Sequence, residues 1–284
     1  MSQIESPEVT VRGPDGDPAV TVIAGVHGDE PSGVRAIQRV LDADHEFERP
    51  VQFVYANPAA LAADRRYVDV DMNRAFPGDA ESDELEERLA AELLDVVGET
   101  PTLSLHATHS QPEPMALVSR EYPTALETSA ALPTPSVVDT SQTVDGTLNR
   151  CAPVVTVESG RQRTEDATDT ATMVIETFLR LHDALPGTVA TGDPRFYELD
   201  DVVEKPEDAP PGTASSELYD LEAENFELVS EGAVWATIEG EEVTADEPFV
   251  PILMSECGYQ DIFGYKGVPV GESLADAREY WGMG

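Results

Sequence analysis

Cysteine and lysine are almost missing from this chain: Cys151 and Cys257 stand far apart and outside any C-x-x-C pair, and Lys205 and Lys266 are its only lysines. Two isolated thiols build neither a disulfide framework nor a thiolate zinc site, so any metal must be held by histidine and carboxylate. No apolar run approaches the roughly 20 residues needed to cross a bilayer. The opening M-S-Q-I-E-S-P-E lacks the basic and apolar regions of a secretory signal. The expectation is a soluble, cytoplasmic protein. The sequence contains neither an internal repeat nor a nucleotide-phosphate loop.

Positive charge is scarce as well. Against 56 acidic residues stand 17 basic ones, a net charge of −39. That field repels nucleic acid and anionic lipid, which leaves a small molecule as the expected partner, with a homo-oligomer left open. The acids are spread along the chain and not gathered in a tail, as in proteins adapted to concentrated salt, where the Debye length shrinks to about 3 Å. A halophilic source follows, with the acids as a solvated surface. A chain of 284 residues buries a sizeable core. Two unequal units are expected: 1–187, and a smaller β-rich unit over 188–284.

Chemistry begins at V-T-V-I-A-G-V-H-G-D-E, Val20 to Glu30. A β-branched strand breaks at glycine and presents His27 and Glu30, both good zinc donors, from a rigid strand end. Pro31 then opens a helix with Val34, Ile37, Gln38 and Leu41 at helical spacing. A second strand, Val51 to Ala56, completes a βαβ unit and points to a largely parallel sheet. Asn57 to Gly78 loses periodicity, which reads as a functional loop. It holds Arg65, Arg66 and Arg74, arginines that either grip an anionic ligand or pair on the surface with Asp64, Asp69 and Asp71.

A helix is predicted from a Ser82 N-cap to Val97, with Asp83 and Glu84 in its first turn and Leu85, Leu89, Leu93 and Val96 inward. Thr102 to His106 is a third strand, whose terminal His106 completes a His, Glu, His set with an open fourth position; His109 competes for that role. Short strands follow at M-A-L-V-S and S-V-V-D-T. Pro153 to Gly160 is a buried strand ending in Glu158, a candidate general base above a parallel sheet. Thr164 starts a helix with an apolar stripe of Ala171, Val174, Ile175, Phe178 and Leu181. Beyond Thr188 the chain turns to short strands (F-Y-E-L, F-E-L-V, A-V-W-A-T-I, F-V-P-I-L-M) with little helical periodicity, and Lys205 to Ser216 reads as a surface loop.

In combination, H-G-D-E at His27 and Glu30, R-Y-V-D-V-D-M-N-R from Arg66 to Arg74, L-H-A-T at His106 and V-E-S-G at Glu158 resemble the succinylglutamate desuccinylase/aspartoacylase family, relatives of the zinc carboxypeptidases. The resemblance implies an α/β fold: a mixed, mostly parallel sheet flanked by helices, followed by a smaller C-terminal β domain that restricts the cleft. It implies one zinc ion on His27, Glu30 and His106, Glu158 as catalytic base, and Arg66 polarising the scissile carbonyl. Asn73 and Arg74 would hold the carboxylate of a small-molecule substrate. The expected reaction is hydrolysis of the amide of an N-acyl amino acid. A metallocarboxypeptidase, an esterase on another small carboxylate, or a carboxylate-binding relative without catalysis are the alternatives.

Two departures from the family pattern stand out. Ser104-Leu105 precedes His106 where the family has Asp-Leu, which removes a carboxylate able to orient the site. For the further substrate contacts of some members, only Arg150 and Tyr265 offer themselves.

Overall fold

The structure, a computed structural model, describes residues 6–111, 113–189, 192–205, 219–256 and 262–283. In chain order, β1 (Glu8–Arg12) and β2 (Val20–Ala24) lead into α1 (Pro31–Asp42), β3 (Val51–Tyr55), α2 (Pro58–Ala63) and α3 (Leu85–Val97). Next come β4 (Thr102–Thr108), β5 (Met115–Val118), α4 (Pro123–Ala131), β6 (Ser136–Asp139), α5 (Leu148–Cys151), β7 (Val154–Arg161) and α6 (Glu165–Leu181). The last part carries β8 (Arg195–Glu204), β9 (Tyr219–Leu221), β10 (Val234–Ile238), β11 (Glu241–Thr244), β12 (Val250–Ile252), β13 (Ile262–Gly271) and α7 (Leu274–Tyr280).

Among these residues, ten strands form one sheet in the order β1-β3-β2-β4-β7-β5-β6-β8-β13-β12. Five of its nine pairings are parallel, so the sheet is mixed and mostly parallel, as the resemblance implied. A separate antiparallel sheet holds β11, β10 and β9. The division expected at 187/188 falls in the connection between α6 and β8; beyond it the chain both extends the large sheet and builds the small one.

The central strands are buried along nearly their whole length because both faces are covered, polar residues such as Thr21, Gln52 and Ser104 included. Val22 and Ala24 pack with Ile37 and Val40 of α1 and Phe178 of α6. Ile23, pointing the other way, packs with Leu89 and Leu93 of α3. Each large side chain enclosed in this way contributes about 1.5–3 kcal/mol. From β2 the chain passes through α1 to β3 on one side, and returns through α3 on the opposite face to β4 on β2's other side. A crevice opens at the carboxyl ends of strands at such a reversal, the usual place for a ligand in this class of sheet.

Several local expectations are corrected. The buried face of α1 is Gly33, Ala36, Ile37 and Val40, with Gln38 exposed, because α1 sits rotated against the sheet. Helix α3 starts at Leu85 with Glu84 at its N-cap, not Ser82. Ser82 accepts the Glu84 N–H one turn early, and Asp69 Oδ2 takes the Leu85 N–H at 2.9 Å. Val97, not Val96, is fully buried. The supposed loop after Asn57 contains α2, whose N-terminus Asn57 caps by accepting from Ala60 N at 3.0 Å. F-E-L-V forms no strand; Val229 makes an isolated bridge to Phe249. β13 and α7 were not anticipated, since Gly264, Gly267 and Pro269 break the strand pattern. Residues 206–216 of the expected surface loop lie outside the described residues.

One buried charge ties the loop to the fold. Glu86, in the first turn of α3, has no exposed surface. Its Oε1 accepts from Asn57 Nδ2 at 2.9 Å and Val68 N at 2.6 Å, and its Oε2 from Asp69 N at 2.9 Å and Val70 N at 3.2 Å. The helix N-terminus further favours the charge. Glu86→Ala strands these donors and is expected to cost about 3–5 kcal/mol in denaturant unfolding at constant salt. A loss below about 1 kcal/mol would mean that the donors find other partners.

Candidate functional site

Parallel pairing of β2, β4 and β7 sets Ala24 beside Leu105 and His106 beside Glu158. The three strand ends therefore deliver the turn holding His27 and Glu30, then His106, then Glu158, to one place. Gly28 allows that turn to lie against the α2 segment: a β-carbon there would stand 2.1 Å from the carbonyl carbon of Ala60. Its N–H donates to Arg66 O at 3.2 Å, which fastens the H-G-D-E turn to the arginine segment.

His27, Glu30 and His106 are all buried, and one donor atom from each lies within 4.8 Å of the others. Glu30 bridges the imidazoles: Oε1 is 2.8 Å from His27 Nδ1 and Oε2 is 3.1 Å from His106 Nδ1. Ala107 N also donates to Oε2, at 3.1 Å. Two nitrogens and a carboxylate facing a common centre could hold a metal ion. His109 lines the same cleft but is exposed and outside this group, so His106 is the histidine that joins it.

Burial works against every charge here, yet the groups offset one another. His27 is raised to about 9: burial pushes its pKa down, but the charge of Glu30 and hydrogen bonds to Asp71 and Glu30 outweigh burial and the opposing Arg66. Burial likewise opposes ionised Glu30, but His27 and His106 hold it well below the usual carboxylate range. His106 is pushed down, chiefly by burial. Glu158 moves the other way, to about 8, through burial and then the neighbouring negative charge of Glu30. Its Oε2 is buried with no hydrogen-bond partner. Such an oxygen at the wall of a cleft is suited to accept a proton.

Asp71 was read from the sequence only as a surface partner for arginine. Its Oδ1 lies 3.0 Å from His27 Nε2 and accepts from Asn73 N at 2.9 Å, while Oδ2 accepts from Arg66 Nε at 3.1 Å. The orienting carboxylate thought lost at Ser104 is thus supplied to the other histidine, from 44 residues away. Ser104 itself is buried, its Oγ without a partner. The alternation of Asp69 and Asp71 around one arginine cluster was the only trace of this in the sequence.

Arg66 also donates from Nη1 to Glu30 Oε1 at 3.2 Å. Arg74 is locked by Asn73 O at 2.7 Å and Tyr265 Oη at 3.3 Å. Together with Asn73 and Tyr265, both arginines line an open cleft of about 750 Å³ that contains the His-Glu-His group and Glu158. Arg150 is not brought there; it pairs with Glu121 at 2.9 Å. Asp64 pairs with Arg163 and Asp69 caps α3, so of the three expected aspartate partners Asp71 alone pairs with one of these two arginines, Arg66, and it does so beside His27 and not on the open surface.

Comparison with known proteins follows this geometry. The succinylglutamate desuccinylase/aspartoacylase catalytic domain matches residues 16–183. A succinylglutamate desuccinylase from Erwinia tasmaniensis is 41% identical over 64 residues, 21% of this chain and 20% of that protein. An N-acyl-aromatic-L-amino acid amidohydrolase (carboxylate-forming) B from Danio rerio is 39% identical over 90 residues, covering 28% and 29%. These alignments span about a fifth to under a third of the relatives' length. In overall fold, a succinylglutamate desuccinylase/aspartoacylase from Rhodobacter sphaeroides aligns over 92% of this chain and 89% of its own, with TM-score 0.72 and 20% identity. Murine aminoacylase 3 aligns over 90% and 97%, with TM-score 0.67 and 22% identity. Among the described residues no helix is long and apolar enough to cross a membrane.

Proposed function

The chain belongs to the succinylglutamate desuccinylase/aspartoacylase family, and from that premise we propose that it is a zinc-dependent hydrolase cleaving the amide bond of an N-acyl amino acid. The observation that carries the reading is the buried His27, Glu30 and His106 group beside a partnerless Glu158 oxygen in one cleft. The donor set fits zinc: two imidazoles and a carboxylate, with Asp71 behind His27, are a common catalytic arrangement. Zinc held there supplies Lewis acidity toward a carbonyl oxygen and lowers the pKa of a water.

The protein's own residues supply the rest. Glu158 takes the proton of the attacking water and returns it to the leaving amine. Arg66, fixed by Asp71 and Glu30, stabilises negative charge developing on the carbonyl oxygen, a contribution on the order of 3 kcal/mol for one donor. Arg74, oriented by Asn73 O and Tyr265, keeps further N–H donors for the substrate carboxylate, with the Asn73 side chain beside it. A small-molecule carboxylate partner, a cytoplasmic location and a salt-rich environment belong to the same proposal, the last resting on the net charge of −39.

The test is hydrolysis of N-acyl amino acids in molar salt by protein of known metal content. Turnover is expected to vanish with a chelator and return with about one zinc per chain. Cleavage of peptides but not of N-acyl amino acids would move the protein to the carboxypeptidase alternative, and zinc binding without turnover to the non-catalytic one.

A further inference from the structure

We infer that this cleft selects a substrate with a single carboxylate, whose remaining group is uncharged and apolar, against di- and tricarboxylates. The inference deepens the reading of the site as an N-acyl amino acid cleft and rests on it for the identity of the ligand class.

Counting cations comes first. The lysines and arginines at the cleft are Arg66 and Arg74. No residue outside the described set is basic, so no further lysine or arginine can stand there. Arg66 already faces the carboxylates of Glu30 and Asp71. That leaves Arg74 to receive one substrate carboxylate. Of the other basic groups at the cleft, His27 and His106 are taken up by Glu30 in the candidate metal group, which leaves the exposed His109 for a second carboxylate. Like charges repel strongly beside buried carboxylates such as Glu30.

Another part of the lining is neutral by construction. Leu117, Val144, Leu199 and Leu253 supply its apolar surface. The polar groups between them satisfy one another: Thr147 Oγ1 donates to Asn149 Oδ1 at 2.7 Å, Asn149 Nδ2 to Thr140 Oγ1 at 3.1 Å, and Thr140 Oγ1 to Val118 O at 3.2 Å. This chain of bonds ends on a main-chain carbonyl and presents no charge. A carboxylate placed against it would exchange water for leucine.

Leu253 is held in that wall at a cost. Its φ is 54°, the left-handed region, unusual for a branched side chain. The next residue is clamped, since Asn225 Oδ1 accepts from Met254 N at 2.8 Å and Asn225 Nδ2 donates to Met254 O at 2.9 Å. Gly264 of β13 lets the two segments touch; a β-carbon there would stand 2.6 Å from Met254 Cα. Strain kept in place by surrounding bonds gathers at ligand-contacting positions. Here it fixes an apolar side chain in the cleft beside Tyr265, which pairs with the preceding residue Ile252 and lines the same space.

The experiment measures kcat/KM and calorimetric Kd of the zinc-loaded full chain in molar KCl for N-acetyl-L-leucine, N-acetyl-L-asparagine, N-acetyl-L-aspartate and N-succinyl-L-glutamate. The expected order is leucine, then asparagine, then the two acidic substrates, with aspartate at least about a hundredfold below leucine because its second carboxylate is buried unpaired. Asparagine separates lost apolar contact from added charge. Acidic substrates equal to or better than leucine overturn the inference while leaving the hydrolase reading intact. The same order in Kd without any turnover sustains the inference and removes the hydrolase reading. Leu253→Arg, which introduces a cation into the wall, should raise the aspartate-to-leucine ratio about tenfold by pairing the extra carboxylate. An unchanged ratio in a folded variant takes Leu253 out of the selecting wall. Should that variant not fold, the wild-type series decides alone.

Discussion

Glu158→Gln is expected to keep its metal and lose about a thousandfold in kcat, the usual scale for a removed general base. Glutamine fills the same volume on β7 and leaves the ligand group of His27, Glu30 and His106 untouched, but it cannot take a proton from water. The buried, partnerless Oε2 makes this the sharpest test of the mechanism, because no other contact of that atom is lost with the charge. A pH profile adds a second readout. Glu158 rises to about 8 through burial and then through Glu30, and works only when ionised. A cation shared by Glu30 offsets the second of these causes. The acid limb of kcat/KM should therefore fall below pH 8, with activity rising as pH rises through it. The glutamine variant should lack that limb. Unchanged turnover in Glu158→Gln, measured on protein with one metal per chain, would remove Glu158 from the chemistry.

Zinc uptake by the metal-free protein should strengthen with rising pH and disappear in His27→Ala and His106→Ala. The sign follows from His27. In the metal-free protein its pKa is raised to about 9, so at neutral pH the ring carries a proton that must leave before the nitrogen can bind a metal. Where this is the proton displaced, apparent affinity gains about tenfold per pH unit and levels off above pH 9. His106 is pushed down and brings no such proton at neutral pH. Competition against a chelator of known affinity at pH 6.5, 7.5 and 8.5, with proton release recorded, measures the slope. A flat affinity would mean that His27 is neutral before the metal arrives; full zinc content in either alanine variant would break the ligand assignment.

Much of this site is legible along the chain because its candidate ligands sit at or just past strand ends, and strands announce themselves locally. β2 is a mostly apolar buried run that ends just before His27, and in β7 the apolar stretch gives way at Glu158, three residues before the strand ends at Arg161. β4 is read correctly up to His106, although it continues two residues further to Thr108. The stretch from Asn57 to Gly78 could be recognised as functional but not resolved. Its order comes from Glu86 on α3, and hydrogen bonds from a distant buried carboxylate leave no periodicity in the segment that donates them. Asp71 escaped for a related reason: in a chain with 56 acids, one more aspartate carries no signal until the fold sets it against His27. Arg150 and Tyr265 looked equivalent as distant candidates, and only strand β13, with its glycines, brings the second to Arg74.

By itself, then, the order of residues determined the α/β class, the candidate ligand types and the sequence of strand ends, because burial on both faces of a sheet demands apolar runs and those runs end where polar work begins. Tertiary structure alone decided which histidine joins Glu30, which aspartate stands behind His27, and which neutral side chains line the same cleft. Those are meetings of side chains tens to hundreds of residues apart. They depend on strand register and on helices crossing a switch point, quantities that no local pattern encodes.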